Sequence, residues 1–97
     1  MNEPRYAVHF AASAEDDLIR LTEFLLERVQ SLEDLDRVEE SVRSLRQAIE
    51  QQLAAIPWSF RKAGPGNRTT RRELVVPTGS TGYVVLYEIE PIQRVLV

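Results

Sequence analysis

The stretch YVVLYEI at residues 83–89 is the strongest β-strand signal in the chain and decides the fold class. It consists mainly of β-branched and aromatic residues, which favour strands. Because the run is almost continuously apolar, we expect a central strand that is covered on both faces of its sheet. The rest of the fold is predicted by working outward from this strand.

Turn signals lie on both sides of the central strand. Before it, residues 78–82 read TGSTG, and the preceding apolar run ends at Pro77. We therefore predict a hairpin between a strand at 72–76 and the strand at 83–89. After it, EPI at residues 90–92 turns the chain into a last strand at 94–97.

Two amphipathic helices precede this hairpin. The first is predicted over residues 13–30, with Ser13 at its start. The second is predicted over residues 35–56, where apolar side chains recur in steps of three or four until Pro57 stops the helix. YAVHF at residues 6–10 alternates as a half-buried N-terminal strand does. The predicted fold is α+β, in the order β-α-α-β-β-β, with an α-hairpin packed on one face of a small antiparallel sheet.

Length and composition restrict the class of protein. Ninety-seven residues with 43% hydrophobic and 28% charged side chains predict a single globular domain over residues 1–97. The chain has no cysteine, so it offers no disulfide and no thiolate chemistry. It has neither a signal-peptide pattern nor an apolar run approaching ~18 residues. We expect a soluble, cytoplasmic protein that does not bind membranes.

Charge is unevenly distributed along the chain. Residues 1–56 hold 12 acidic and 6 basic side chains, which argues against general nucleic-acid binding. The segment 61–72 holds five bases and no acid, and it is the only region expected to attract an anionic partner. Alternatively, it is a solvated loop that balances the acidic helices. Its bases are Arg61, Lys62, Arg68, Arg71 and Arg72.

No residue pattern predicts a catalytic or metal site, and we expect no cofactor. His9, the only histidine, lacks an identifiable nucleophile and orienting group. Trp58 and Phe60 are interpreted as a plug between helix and sheet, with a base-stacking platform as the alternative. Tyr83 and Tyr87 lie four residues apart on one strand face and are interpreted as packing residues, with a catalytic role as the alternative.

The ordered set of elements resembles the RelE/ParE superfamily of toxins. YAVHFAASAEDDLIRLTEFLLER at residues 6–28 is similar to the strand and helix that open ParE-type toxins, with Asp17 and Leu18 at matching positions. Ile56 and Pro57 resemble the apolar-Pro step before the basic loop of the family. RELVV at 72–76 and GYVVLYEI at 82–89 resemble its strand pair, and RVLV at 94–97 resembles the start of its final strand. The resemblance covers nearly the whole chain.

The resemblance favours the ParE branch over the RelE branch. RelE-like members cut mRNA in the ribosome and commonly carry an Arg directly after the Tyr that opens the central strand. This chain has Val84 there, which can neither accept a proton nor stabilise a phosphorane. ParE-like members resemble RelE in fold and are associated with poisoning DNA gyrase. Family members usually continue past the last strand, so a copy shortened here could keep antitoxin binding and lose toxicity.

The resemblance therefore implies a type II toxin, of the kind that stabilises plasmids, which binds DNA gyrase and is neutralised by a ParD-like antitoxin. It would meet nucleic acid only through gyrase, and it could form homodimers or hetero-oligomers with the antitoxin. The five bases of the segment 61–72 are the candidate target-binding residues. The candidate antitoxin-binding residues are Ile19, Phe24, Leu26, Trp58, Tyr83 and Tyr87. The alternatives are a RelE-like endoribonuclease that holds phosphate with Arg61, Lys62, Arg68 or Arg72, and a non-toxic relative that only binds an antitoxin.

Overall fold

The protein is α+β, as the sequence predicts, with two helices on one face of a five-stranded sheet. This computed structural model describes residues 5–64, 69–78 and 81–97. Every predicted helix and strand is present, with shifted ends. The elements are β1 (Ala7–His9), α1 (Ala12–Leu26), α2 (Leu32–Ala55), a 3-10 turn (Pro57–Ser59), β2 (Arg61–Lys62), β3 (Arg71–Thr78), β4 (Thr81–Glu90) and β5 (Arg94–Leu96).

The sheet is mixed, whereas the sequence analysis expected an antiparallel one. Its strand order is β1-β5-β4-β3-β2, and β1 runs parallel to β5. The α-hairpin lies between β1 and the other strands in the sequence, which gives the chain enough length for the crossover that a parallel pair needs. The two-residue strand β2 pairs with β3 and was not predicted, because two residues are too short to show a period.

The predicted hairpin of β3 and β4 is confirmed, and it extends from the pair Arg71 and Glu88 to the pair Thr78 and Thr81. β4 lies in the centre of the sheet, also as predicted. Gly79 and Ser80, part of the expected turn, lie outside the described residues. The turn from β4 to β5 places Ile92 at φ 63° and Gln93 at φ 52°. A β-branched residue seldom adopts this left-handed conformation, so the turn is strained at Ile92.

The two helices begin differently. Ser31 caps α2, because its Oγ accepts a hydrogen bond from the Asp34 N–H at 3.1 Å. Ser13 was expected to open α1, but α1 begins at Ala12 without a side-chain cap. α2 ends at Ala55, just before Ile56 and Pro57, as the sequence predicts. An ion pair between Glu15 and Arg46 joins the two helices.

The core lies between α2 and the inner face of the sheet. α2 buries three side chains, Leu45, Ile49 and Leu53, against inward side chains of β3, β4 and β5. No residue of α1, all of which are described, is fully buried, although Leu18 and Leu21 pack partly on the core. α1 therefore covers the sheet less closely than α2 does. No helix in the described part of the chain is both long and apolar enough to cross a membrane.

The expectation that β4 is covered on both faces is wrong. Side chains of a strand alternate between its faces, and in β4 Val85, Tyr87 and Ile89 point into the core. Val84 and Leu86 point to the opposite face, where they are exposed. A continuous apolar strand has both faces covered only if a layer of structure packs on each face of the sheet. In the described part of the chain, both helices pack on the same face of the sheet, so the other face of β4 remains exposed.

Candidate binding surface

The outer face of the sheet carries an exposed apolar patch at its centre. It consists of Val75, Val84 and Leu86, whose exposed fractions are 46%, 58% and 61%. Val75 lies directly opposite Val84 in the β3–β4 register, and Leu86 is two residues further along β4. The three side chains therefore lie on one face as neighbours. We call them the outer patch. A contiguous exposed apolar patch is typical of an interaction site.

Ion pairs surround the outer patch on the same face of the sheet. Arg61 pairs with Glu73 across β2 and β3. Arg71 Nε lies 3.2 Å from Glu88 Oε2, across β3 and β4. Arg94 Nε lies 3.1 Å from Glu90 Oε1, across β4 and β5. An apolar centre with a polar rim is the usual composition of a protein–protein interface.

The five bases of the segment 61–72 do not form one cationic cluster. Arg61 and Arg71 are paired with carboxylates, which reduces the positive field that the sequence suggested. Arg72 lies on the other face of β3 and is bonded to backbone carbonyls. Lys62 is exposed and makes no ion pair with any residue that the structure describes. Arg68 lies outside the described residues.

Arg72 holds together the corner where α2 leads into the sheet. Its Nη1 donates to the Phe60 carbonyl oxygen at 2.7 Å and to the Trp58 carbonyl oxygen at 2.9 Å. Its Nε donates to the Thr69 carbonyl oxygen at 2.8 Å. Its guanidinium also lies 5.1 Å from the centroid of the Trp58 ring. These bonds give Arg72 a structural role. To bind a phosphate, its guanidinium would have to give up these hydrogen bonds to the backbone.

Trp58 is only in part the plug that the sequence suggested. Phe60 packs against the core, but Trp58 is 46% exposed. Its Nε1 donates to Tyr6 Oη at 3.0 Å, which fixes the ring at the surface. Ile56 and Trp58 border a shallow cleft with Tyr6 and Gln93. Trp58 thus remains available as a contact residue.

The remaining candidate antitoxin contacts divide into exposed and buried side chains. Ile19, Phe24 and Leu26 are exposed on α1, and the Arg28 guanidinium lies 3.7 Å from the Phe24 ring centroid. Tyr83 is half-buried under the helices. Tyr87 is buried, and its hydroxyl donates to the Pro57 carbonyl oxygen at 2.5 Å. The prediction that Tyr87 contacts an antitoxin at the surface is therefore wrong, because Tyr87 lies on the inward face of β4 and is buried in the core.

Sequence reasoning missed the outer patch. It treated residues 83–89 as a single buried run and did not separate the two faces. The alternation of side chains along each strand could have identified the patch. Glu73 lies two residues from Val75 and Glu88 lies two residues from Leu86, so each charged residue shares a strand face with an apolar one. Charged side chains are almost never fully buried without partners, so their parity marks the outward face of each strand.

No group of three or more His, Cys, Asp or Glu side chains among the described residues could hold a metal ion. His9 is exposed on β1, and the nearest residue across the ladder is the apolar Leu96. No protein-family model matches the chain, and a search of curated proteins finds no significant match. The features that indicate a function are the fold, the outer patch and the resemblance of the sequence to a toxin superfamily.

Tyr87 gives a pH-dependent prediction. Burial raises the pKa of Tyr87 from 10.0 to about 12, and the positive charge of Arg72 opposes part of that rise. The unfolded chain therefore loses the phenol proton at lower pH than the folded chain. The stabilisation is fully present below pH 10.0 and is lost as pH rises through about 12. We expect the free energy of unfolding to fall by about 2 kcal/mol over that range on account of this group.

Urea unfolding at a series of pH values between about 8 and 12 tests this expectation. Tyr87→Phe is the control, because it keeps the ring and removes the titrating hydroxyl. Its stability should fall less steeply with pH than that of the unmodified chain. Equal slopes would mean that other groups cause the loss and that Tyr87 is not held protonated by burial.

Proposed function

We propose that this chain is a ParE-like toxin of a type II toxin–antitoxin pair, which acts in the cytoplasm by binding DNA gyrase rather than by catalysis. A ParD-like antitoxin neutralises it. The proposal combines the resemblance along the sequence with one structural observation. The sheet face opposite the helices carries the apolar outer patch within a rim of paired charges.

The character of the outer patch favours binding over RNA cleavage. Val84, at the position where RelE-like members commonly carry an Arg, is exposed on this face and offers neither a base nor a cation. Arg61 and Arg71 on the same face are paired with Glu73 and Glu88. Phosphoryl transfer to a 2′-hydroxyl needs positive charge aimed at the developing phosphorane. An apolar patch instead favours a protein surface.

The exposed apolar side chains of α1 support a separate surface for the antitoxin. Ile19 and Phe24 are each about half exposed, and they lie away from the outer patch on the helical side of the molecule. An amphipathic or extended antitoxin segment that packs on Ile19 and Phe24 would remove their apolar side chains from water. On this proposal the toxin uses the sheet for its target and the helical side for its antitoxin.

A gyrase assay tests the proposal. The purified chain should inhibit supercoiling of relaxed plasmid DNA and trap cleaved DNA on gyrase. The double variant Val75→Glu, Val84→Glu should inhibit at least about tenfold less, because two carboxylates would lose water in the interface. Ile92→Glu is the matched control, since Ile92 is also exposed and apolar but lies on the β4–β5 turn.

Two results would count against the proposal. One is undiminished supercoiling when the chain is in stoichiometric excess over gyrase. The other is cleavage of mRNA by the chain in a translating extract, which would assign it to the RelE-like branch. Equal inhibition by the double variant and by Ile92→Glu would leave gyrase as the target and remove the outer patch from the interface.

A further inference from the structure

The outer face of the β3–β4 hairpin is self-complementary. Val75 of β3 lies opposite Val84 of β4, and Arg71 of β3 lies opposite Glu88 of β4. Each pair joins chemically matched side chains, apolar with apolar and cation with carboxylate. Arg71 and Glu88 already form an ion pair within the chain, with Nε 3.2 Å from Oε2. A surface that exchanges the positions of β3 and β4 therefore meets a matching side chain at both places.

A second copy of the chain makes this exchange. We consider two sheets stacked face to face about a two-fold axis that runs along the strands, midway between β3 and β4. Each of these strands then lies over the other strand of the second copy. Val75 faces Val84 of the second copy, and Arg71 faces Glu88 of the second copy. Because a two-fold interface uses the same patch on both copies, each contact occurs twice.

The charge of the outer face also favours a second copy. Its strand residues hold three arginines and three glutamates, which are arranged as ion pairs. A face without net charge does not repel a copy of itself. The helical side differs, because residues 12–55 hold eleven acidic and five basic side chains. Two helical sides would repel each other, so we expect self-association at the sheet.

The size of the outer face predicts a weak dimer. The sheet is five strands wide, roughly 24 Å at ~4.8 Å per strand, and β3 has eight residues, roughly 27 Å. Two such faces bury at most roughly 1,300 Å² together, above the ~1,000 Å² that a biological interface usually exceeds and below the ~1,600 Å² of a standard one. Leu86 would also face the ion-paired carboxylate of Glu73 in the second copy. We therefore expect a dissociation constant on the order of 10 µM.

We propose that the outer patch joins two copies of this chain in a two-fold dimer, with β3 of each copy across from β4 of the other. The two sheets lie ~10 Å apart, with Val75 and Val84 of both copies as the apolar centre. Arg71 lies between the Glu88 carboxylate of its own chain and that of the second copy. The exposed side of α1 takes no part in this contact and remains available to another partner.

The dimer would regulate the surface that we propose for the target. Each copy covers the outer patch of the other, so only the monomer could bind a target there. This consequence rests on the proposed function, whereas the dimer itself does not. Dimerisation is therefore measured on the chain alone, without gyrase or antitoxin. Absence of a dimer would leave the gyrase proposal standing, and absence of gyrase inhibition would leave the dimer standing.

Sedimentation velocity from about 1 µM to about 500 µM tests the dimer, because this range spans the expected dissociation constant. The unmodified chain should change from monomer to dimer over that range. Val84→Lys and Val75→Glu, each alone, should weaken the dimer at least about tenfold, because a charge would be buried against an apolar side chain. Ile92→Lys is the matched control, since Ile92 is exposed and apolar but lies on the β4–β5 turn. It should leave the dimer unchanged.

A mixture of variants tests which residues face each other. When Val84→Lys is mixed with Val75→Glu, the new ammonium group of one chain faces the new carboxylate of the other. The second contact, between the unchanged Val75 and Val84, is retained. The mixture should therefore associate at least about tenfold more tightly than either variant alone. Val84→Lys mixed with Val75→Lys is the control and should stay monomeric. Both positions are exposed, so circular dichroism should show the fold unchanged.

Three results would overturn the proposal. The first is a chain that remains monomeric at about 500 µM, far above the expected dissociation constant. The second is a dimer that Val84→Lys leaves intact, because its interface would lie elsewhere. The third is association of Val84→Lys with Val84→Glu but not with Val75→Glu. In that case Val84 faces itself, and β3 is not exchanged with β4.

Discussion

Leu53→Ala is expected to lower the free energy of unfolding by about 3–5 kcal/mol. Leu53 is 0% exposed and lies on α2 in the core. Its removal loses the transfer free energy of the side chain and leaves a cavity between helix and sheet. Because a domain of this size is stabilised by only about 5–10 kcal/mol, much of the total would be lost. Urea unfolding followed by circular dichroism measures the change.

Leu32→Ala is the matched control for this prediction. It is the same substitution in the same helix, but Leu32 is 81% exposed. Its effect should stay within about 0.5 kcal/mol. If Leu53→Ala lowers the free energy of unfolding by less than about 1 kcal/mol, the packing of α2 on the sheet is contradicted. Replacing a fully buried leucine with alanine costs more stability than that.

Arg72→Met is expected to destabilise the chain by about 3 kcal/mol, because it removes three hydrogen bonds from a charged donor to backbone carbonyls. Methionine keeps an apolar stem of similar length, so packing changes little. The corner between Trp58 and Phe60 would lose its attachment to β3. Trp58 is the only tryptophan, so its fluorescence should change together with the unfolding midpoint.

The control for Arg72 is its neighbour. Arg71 points to the opposite face of β3, and its ion pair with Glu88 is partly exposed. Arg71→Met should therefore cost less than about 1 kcal/mol and leave Trp58 fluorescence unchanged. If Arg71→Met and Arg72→Met lower the free energy of unfolding by similar amounts, then the placement of these two side chains on opposite faces of β3 does not give them different roles.

Secondary structure was largely predictable because local chemistry decides it. The end of α2 follows from Pro57, and the pairing of β3 with β4 follows from two apolar runs on either side of a turn. The predicted opening of α1 by Ser13 was wrong, since α1 begins at Ala12 and the hydroxyl of Ser13 does not cap it. The short β2 exists only because β3 lies beside it, and no local pattern predicts it.

The candidate surface was predicted less well, because exposure depends on which layers cover which faces. Tyr87 and Arg72 both lie in segments suggested as binding regions, yet one is buried and the other bonds the backbone. Val75 and Leu86 were assigned to strands but not to a surface. The five bases of the segment 61–72 looked like one positive region until strand pairing placed Glu73 and Glu88 beside two of them.

The sequence by itself determined the α+β class, the order of elements and the amphipathic stripe of α2, because periodicity and turn residues act over a few neighbouring positions. Tertiary structure decided the parallel pairing of β1 with β5 and the burial of Tyr87. It also decided that the outer patch faces water. These features depend on contacts between residues far apart in the chain, and a local pattern cannot specify which distant element supplies the second layer.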